Sequence, residues 1–233
     1  MGMDLSAGQA AAVLNVSAVR ARQLLRSGDL PARRVGRTWV VRSEDVHTLA
    51  ASARPSGRAL SSARAWGLLD LLDGGRAPWL DASARSKMRS VARTFPGRSA
   101  PQLASLLRNR AVVHRVRLHP SAVGRVTAWA GAVPAGPGLA AERGADLVVV
   151  DEVPEIYLDE RGWDAVVARY RPEDRAGEPN LVVRVPTGSF GPPVKGSATP
   201  AALAADLLGS AEPRAASAGR KWLFDLARLS ETR

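Results

Sequence analysis

Val16-Ser17-Ala18-Val19-Arg20-Ala21-Arg22-Gln23-Leu24-Leu25-Arg26-Ser27-Gly28 decides how this chain is read. Both ends carry helix-end chemistry. Ser17 is an N-cap candidate, because its hydroxyl accepts a bond from a free backbone N–H of the first turn. Gly28 can take the left-handed conformation that ends a helix. Between the caps, Ala21, Leu24 and Leu25 fall on one face at helical spacing. Arg20, Gln23 and Arg26 fall toward the other, with Arg22 near its margin. Arginine can bond guanine through O6 and N7, and glutamine can bond adenine through N6 and N7. A short helix with this front suits the major groove of DNA. Taken alone, the stretch also fits a solvated basic face.

The flanks favour the groove. Upstream, Ser6-Ala7-Gly8-Gln9 is a capping-box pattern. It opens a helix with Ala10, Val13 and Leu14 on one face, and Asn15 marks the turn. Helix, tight turn and capped second helix make a helix-turn-helix unit. Downstream, two β-rich runs surround Gly36-Arg37 in Asp29 to Arg42, which reads as a hairpin, or wing. Ser43-Glu44-Asp45 then opens a third helix, with acids at its positive end. Its apolar face is Val46, Leu49, Ala50 and Ala53.

Residues 5–53 resemble the excisionase-type, MerR-like winged helix-turn-helix domain. The resemblance rests on Ala10 to Ser17, on Leu24 to Ala32 with its Ser27-Gly28-Asp29-Leu30-Pro31, on Arg34 to Val41, and on Glu44-Asp45. It implies double-stranded DNA binding, with the second helix in the major groove and the wing along the backbone or minor groove. Ala18 and Val19 stand where the family often has polar or basic residues, and such side chains suit a thymine methyl. Arg20, Gln23 and Arg22 are the candidates for base edges. Ser17, Arg26, Arg33, Arg34 and Arg37 are the candidates for phosphates, and Trp39 is the aromatic on the wing. The helical tail expected at the rear is too short for the long dimerising coiled coil that typical MerR regulators carry after this domain, which leaves the oligomeric state open.

The formal net charge of +11 over 233 residues is unevenly spread. Residues 1–60 carry nine basic and four acidic side chains, residues 61–125 twelve and three, and residues 126–233 twelve and fifteen. Basic front and acidic rear suggest nucleic acid at one end and another partner at the other. Arginine richness also follows from a GC-rich genome. With no cysteine, disulfides and thiolate metal sites are excluded. Asp4 and the lack of a long apolar core argue against a signal peptide. No run approaches the ~20 apolar residues of a membrane span. A cytoplasmic protein with no cofactor and no membrane partner is expected.

The expected fold class is α+β in three parts: the winged helix-turn-helix of residues 1–53, a basic helical module at 62–125, and an acidic α/β domain at 126–233 with C-terminal helices. Residues 54–61, with Arg54-Pro55-Ser56-Gly57-Arg58, read as the linker. In the central module, helices are expected from Ser62 to Asp73, from Ser83 to Thr94, and from Pro101. Ala111 to Leu118 alternates as a half-buried strand would. Helices followed by a strand suggest a second winged helix, a second nucleic-acid contact or a basic surface for an acidic partner. Gly131, Pro134, Gly136, Pro137 and Gly138 suggest a loop through 126–150. Strands are expected at Leu147–Val150, Glu155–Leu158 and Leu181–Val185. Helices are expected around Trp163–Tyr170, at 200–208 behind Thr199-Pro200, and at 212–229 along Ala215, Ala218, Trp222, Leu226 and Leu229.

The rear also resembles antitoxins of the abortive-infection AbiEi type, through this order of elements and the run Asp206-Leu207-Leu208-Gly209-Ser210-Ala211-Glu212-Pro213-Arg214-Ala215-Ala216-Ser217-Ala218-Gly219-Arg220. The resemblance implies a winged helix on the operon's own promoter and a C-terminal region, residues 62–233, opposing a nucleotidyltransferase-like toxin. An excisionase-like or architectural DNA binder, or a plain transcription factor with a sensing rear domain, are the alternatives. An enzyme is not expected. His47, His114 and His119 have no carboxylate at metal-ligand spacing, and no phosphate loop of the strand-loop-helix kind is present. Asp146, Asp151, Glu152 and Glu155 could serve a metal nuclease, but no lysine follows Glu155 in restriction-type spacing.

Overall fold

The computed structural model describes residues 4–14, 18–27, 30–36, 38–43, 45–46, 59–149, 153–174, 179–189, 196–210 and 212–232. The chain divides into two compact units, residues 1–55 and 56–233.

The first unit runs β1 (Asp4–Ser6), α1 (Ala7–Val13), α2 (Ala18–Ser27), β2 (Arg33–Val35) and β3 (Thr38–Arg42). Its antiparallel sheet has the order β1-β3-β2. The capping box forms as its residues dictate: Gln9 N–H donates to Ser6 Oγ at 3.3 Å, and Ser6 N–H donates to Gln9 Oε1 at 2.8 Å. Leu5, Ala10, Leu25, Leu30, Val41 and Val46 make the core, with Leu14, Leu24 and Trp39 packed against it. The strand β1 was not expected. Three residues are too few to show a period, and only the pairing of Leu5 with Val41 reveals it. Val13 does not join the apolar face of α1; it is 39% exposed, and Ala11 is buried instead. Ser43, Asp45 and Val46 are helical. Ser17, Gly28, Glu44, His47, Leu49, Ala50 and Ala53 lie outside the described residues.

The second unit is larger. It contains α3 (Ser62–Leu72), α4 (Ala82–Ala92), α5 (Ala100–Leu107), β4 (Ala111–Arg117), α6 (Pro120–Thr127), β5 (Val133–Ala135), α7 (Pro137–Glu142), β6 (Glu155–Tyr157), α8 (Glu160–Tyr170), β7 (Glu173–Asp174), β8 (Leu181–Pro186), α9 (Pro200–Leu207) and α10 (Pro213–Glu231). Its mixed sheet has the order β5-β6-β8-β4-β7, with β6 and β8 parallel. Because side chains alternate across a strand, the sheet has two differently covered faces. Val116, Ile156, Leu181, Val183 and Val185 pack with Ala122, Val126 and Val166 of α6 and α8. Tyr157, Val133 and Ala135 look the other way and join Trp66, Leu68, Leu103, Leu203 and Leu223 of the remaining helices.

Several expectations change here. Residues 62–125 and 126–233 share this sheet: β4 comes from the basic segment and lies between β8 and β7 of the acidic one. The charge boundary at 125 is therefore not a boundary between compact units. β4 also makes no local hairpin, so the central helices and strand do not form a second winged helix. Residues 59–61 belong to this unit rather than to a linker, since Leu60 N–H donates to Leu106 O and Ser61 is the N-cap of α3. The expected loop at 126–150 contains β5 and α7, which Pro137 opens at its first turn. Leu147 to Val149 is not a strand, and Val148 is 87% exposed. Leu229, placed on the apolar side of α10, is 56% exposed; Leu223 and Ala227 are buried there.

Four buried polar side chains meet between the sheet and α9. Asp206 Oδ1 accepts from Arg110 Nη2 at 2.6 Å and from the Tyr157 hydroxyl at 2.7 Å. Arg184 Nε stands 3.4 Å from the same oxygen, and its Nη2 donates to Glu155 at 2.6 Å. Burial, and the Asp206 carboxylate beside it, push the Tyr157 hydroxyl far above its ordinary pKa. Burial works against the Arg184 charge, but Asp206 and Glu155 more than offset it and hold the guanidinium above its usual value. Trp66 donates its indole N–H to Arg110 O at 2.9 Å and meets Tyr157 edge-on. Removing one partner of such a group strands buried charges. Asp206→Ala is expected to lower the stability of this unit by about 3–5 kcal/mol, read as an earlier midpoint in urea denaturation of the whole chain.

Candidate nucleic-acid interface

The two helices of the first unit are set by their caps and their buried sides. Ala21 and Leu25 of α2 are buried and Leu24 is half-buried, as its 3.6-residue spacing requires. Leu30 N–H donates to Leu24 O at 3.1 Å, and the Leu30 side chain is fully buried. This closes the segment after α2 onto the core. The opposite face of α2 carries Ala18, Val19, Arg22 and Gln23, all exposed. Val19 is 64% exposed at its centre, with Arg22 and Gln23 three and four residues on, its neighbours on the helix surface. Arg20 and Arg26 are on the same helix, but their side chains, like Ser17 and Arg37 as a whole, lie outside the described ones.

The wing is the hairpin of β2 and β3. Val35 pairs with Thr38 across a two-residue loop, and Gly36 sits at φ +60°. Short hairpin loops of this kind demand a positive φ, which glycine supplies without strain. Arg33 and Arg34 are exposed. Arg34 faces Trp39 across the strands, its guanidinium 5.8 Å from the ring centroid. Trp39 is half-buried against the core. The aromatic thus anchors the wing on one side and braces an arginine on the other. Arg22 and Gln23 on α2 and Arg33 and Arg34 on the wing are exposed, and such side chains carry the chemistry of phosphate and base-edge recognition.

Comparison with known proteins agrees with this geometry. Residues 5–54 match a family model described as a helix-turn-helix domain. The first unit carries a helix-turn-helix domain. No curated protein and no solved structure matches the chain. A helix-turn-helix domain points to a DNA-binding regulator.

The other sequence candidates fall differently. Asp146 pairs with Lys221 at 3.0 Å on the surface, whereas Glu155 is engaged by buried Arg184. The two carboxylates are tied to different partners, and Asp151 and Glu152 lie outside the described residues. Among the described residues no group of three histidines or acids could hold a metal. His114 stacks on Trp163 at 4.5 Å, and His119 caps α6 through Ser121. Among the described residues no helix is long and apolar enough to cross a membrane. Within the alanine-rich run 206–220, Ala215, Ala218 and Gly219 are buried. A Cβ on Gly219 would lie 2.6 Å from Ala204 O, so α9 and α10 approach too closely for larger side chains. The exposed position of Val19 agrees with its expected place on the helix front, whereas the bracing of Arg34 by Trp39 depends on the cross-strand pairing.

The wing depends on one backbone conformation. No atom crowds a Cβ at Gly36, so a substitution there is penalised by φ alone. Gly36→Val should cost about 1–2 kcal/mol, measured as faster amide exchange across 33–42, while Gly36→Asn should cost clearly less.

Proposed function

We propose that the protein is a sequence-specific regulator of transcription that reads duplex DNA with α2. The observation that carries this reading is the exposed face of α2: Val19, Arg22 and Gln23 stand together over a buried Ala21–Leu25 back, inside a helix-turn-helix domain. Arg20, Gln23 and Arg22 take base edges. Ser17, Arg26, Arg33, Arg34 and Arg37 take phosphates, and Trp39 supports Arg34. The promoter of its own gene is the first site to test, because an autoregulating antitoxin binds there.

Residues 59–232 then serve a protein partner. In the antitoxin reading that partner is a nucleotidyltransferase-like toxin. The support is the chain's organisation, with a short DNA-reading unit followed by a larger unit that has its own two cores. The run 206–220 adds little, because close packing of α9 on α10 by itself calls for Gly219 within it. A transcription factor whose second unit senses or recruits another molecule is the competing reading, and it shares the same first unit.

Two measurements separate these ideas. Arg20→Ala should cost about 1–3 kcal/mol on the preferred sequence and relax preference at one position, whereas Arg34→Ala should weaken all sequences alike and lower the salt slope by about 1. Equal affinity of wild type and Arg20→Ala for the best site would remove the base-contact role. For the second unit, the adjoining reading frame is induced alone, with the full chain, and with a full chain carrying Arg20→Ala and Arg34→Ala. Toxicity relieved by both chains supports the antitoxin. A harmless neighbour discards it.

A further inference from the structure

The second unit carries a groove that the DNA-reading helix does not explain. It is about 820 Å³ in volume, runs between the end of α3, the outer side of α4 and the end of α10, and has Leu68, Leu71, Leu72 and Ala92 as its floor. Arg89 and Arg93 stand on its rim. A second concavity of about 410 Å³ continues from it past Gly75 and Arg89 to Arg76 and Arg85. The four arginines thus line one continuous track.

The local sequence builds this track deliberately enough to be read. Arg85, Arg89 and Arg93 recur every four residues, which puts them in one row along α4. Within Ala82–Ala92 no acid interrupts them. Like charges at this spacing destabilise a helix by about 0.2–0.5 kcal/mol per pair. Arg93 has an exposed partner in Glu231 at 3.4 Å. Arg85 donates to Leu80 O at 2.6 Å, which fixes its direction without neutralising it. Arg76 is set by the preceding turn. Asp70 accepts from Ala77 N–H at 2.6 Å, Ala77 is held at φ +42°, and a Cβ on Gly75 would lie 2.3 Å from the Asp70 carboxylate. A residue in a left-handed conformation and a glycine set tightly against the Asp70 carboxylate thus shape the corner that carries Arg76.

We propose that this arginine track is a second DNA contact, which holds the phosphate backbone of one strand outside the sequence read by the helix-turn-helix. The charge density favours duplex DNA over a flexible acidic peptide. Eight residues of helix rise about 12 Å, and a DNA strand offers one phosphate per roughly 3.4 Å of axis, so the row faces about three or four phosphates. Arginine forks bond phosphate in a bidentate manner. The contact carries no base information, and it adds length and salt sensitivity to binding. The inference rests on the reading of the first unit as DNA-binding.

The test uses the full chain and a random-sequence duplex, followed by fluorescence anisotropy across a salt series. The variant Arg76→Gln/Arg89→Gln/Arg93→Gln is compared with wild type and with Arg125→Gln/Arg161→Gln/Arg214→Gln, which removes the same charge from exposed positions off the track. Each variant is first checked for an unchanged thermal midpoint. The expected result is a fall of roughly 2–3 in the slope of log affinity against log salt for the track variant, with a clearly smaller fall for the control. Equal slopes for wild type and the track variant, or equal falls in both variants, overturn the proposal, and the first of these leaves the track to an acidic protein partner. A parallel variant, Arg33→Gln/Arg34→Gln, reports on the first unit alone. If it leaves binding unchanged while the track variant lowers it, the helix-turn-helix reading fails and the track does not.

Discussion

The carboxylate of Asp206 accepts from a guanidinium and a phenol and lies beside a second guanidinium, and the second unit is arranged around that fact. Arg110 precedes β4, Tyr157 ends β6, Arg184 lies in β8, and Asp206 belongs to α9. Three places in the sheet region are therefore referred to one atom group on a helix. Two positive charges and the paired acids, Asp206 and Glu155, leave no net charge in the interior. An arrangement of this kind adds little stability over a well-packed apolar one, but it penalises every register in which its members miss each other. The closely approaching α9 and α10, enforced by Gly219, bring Asp206 to its place.

Local signals in the sequence translated well. The capping box at Ser6–Gln9 forms with both bonds, because a cap is decided within four residues. The apolar back of α2 and the positive φ of Gly36 follow from the same short-range chemistry. What depended on distant partners did not show. β1 is three residues long and exists only through β3. Leu147 to Val149 has the composition of a buried strand, yet it is not one: Leu147 packs against the core from an irregular segment and Val148 is exposed. Nothing local in the sequence marks Arg110 and Arg184 as buried, and only the fold shows that they face Asp206.

Charge counted along the chain proved a poor guide to charge in space. The basic segment 61–125 and the acidic segment that follows are interleaved in one sheet, and part of the rear acidity is consumed by front arginines: Asp206 by Arg110, and, within the rear, Glu155 by Arg184. Exposed arginines stand on the α2 face and wing in the first unit and, in the second, both on the α4 row and at scattered positions such as Arg125, Arg161 and Arg214. The candidate site on α2 was legible as a motif, whereas the role of Trp39 in holding Arg34 required the cross-strand register.

The order in which Asp206 and its partners occur along the chain has a consequence for synthesis. Arg110, Tyr157 and Arg184 leave the ribosome before the carboxylate that satisfies them, and α10, which packs on both α9 and α3, comes later still. The first unit is a compact body of its own at the start of the chain and can fold early and independently, as N-terminal domains do. The second unit cannot close its interior until nearly its whole length has emerged. During that interval a nascent chain carries a finished helix-turn-helix ahead of an open sheet with unpaired buried charge. The second unit is thus the stretch of this protein most exposed to chaperones and proteases while it is being made.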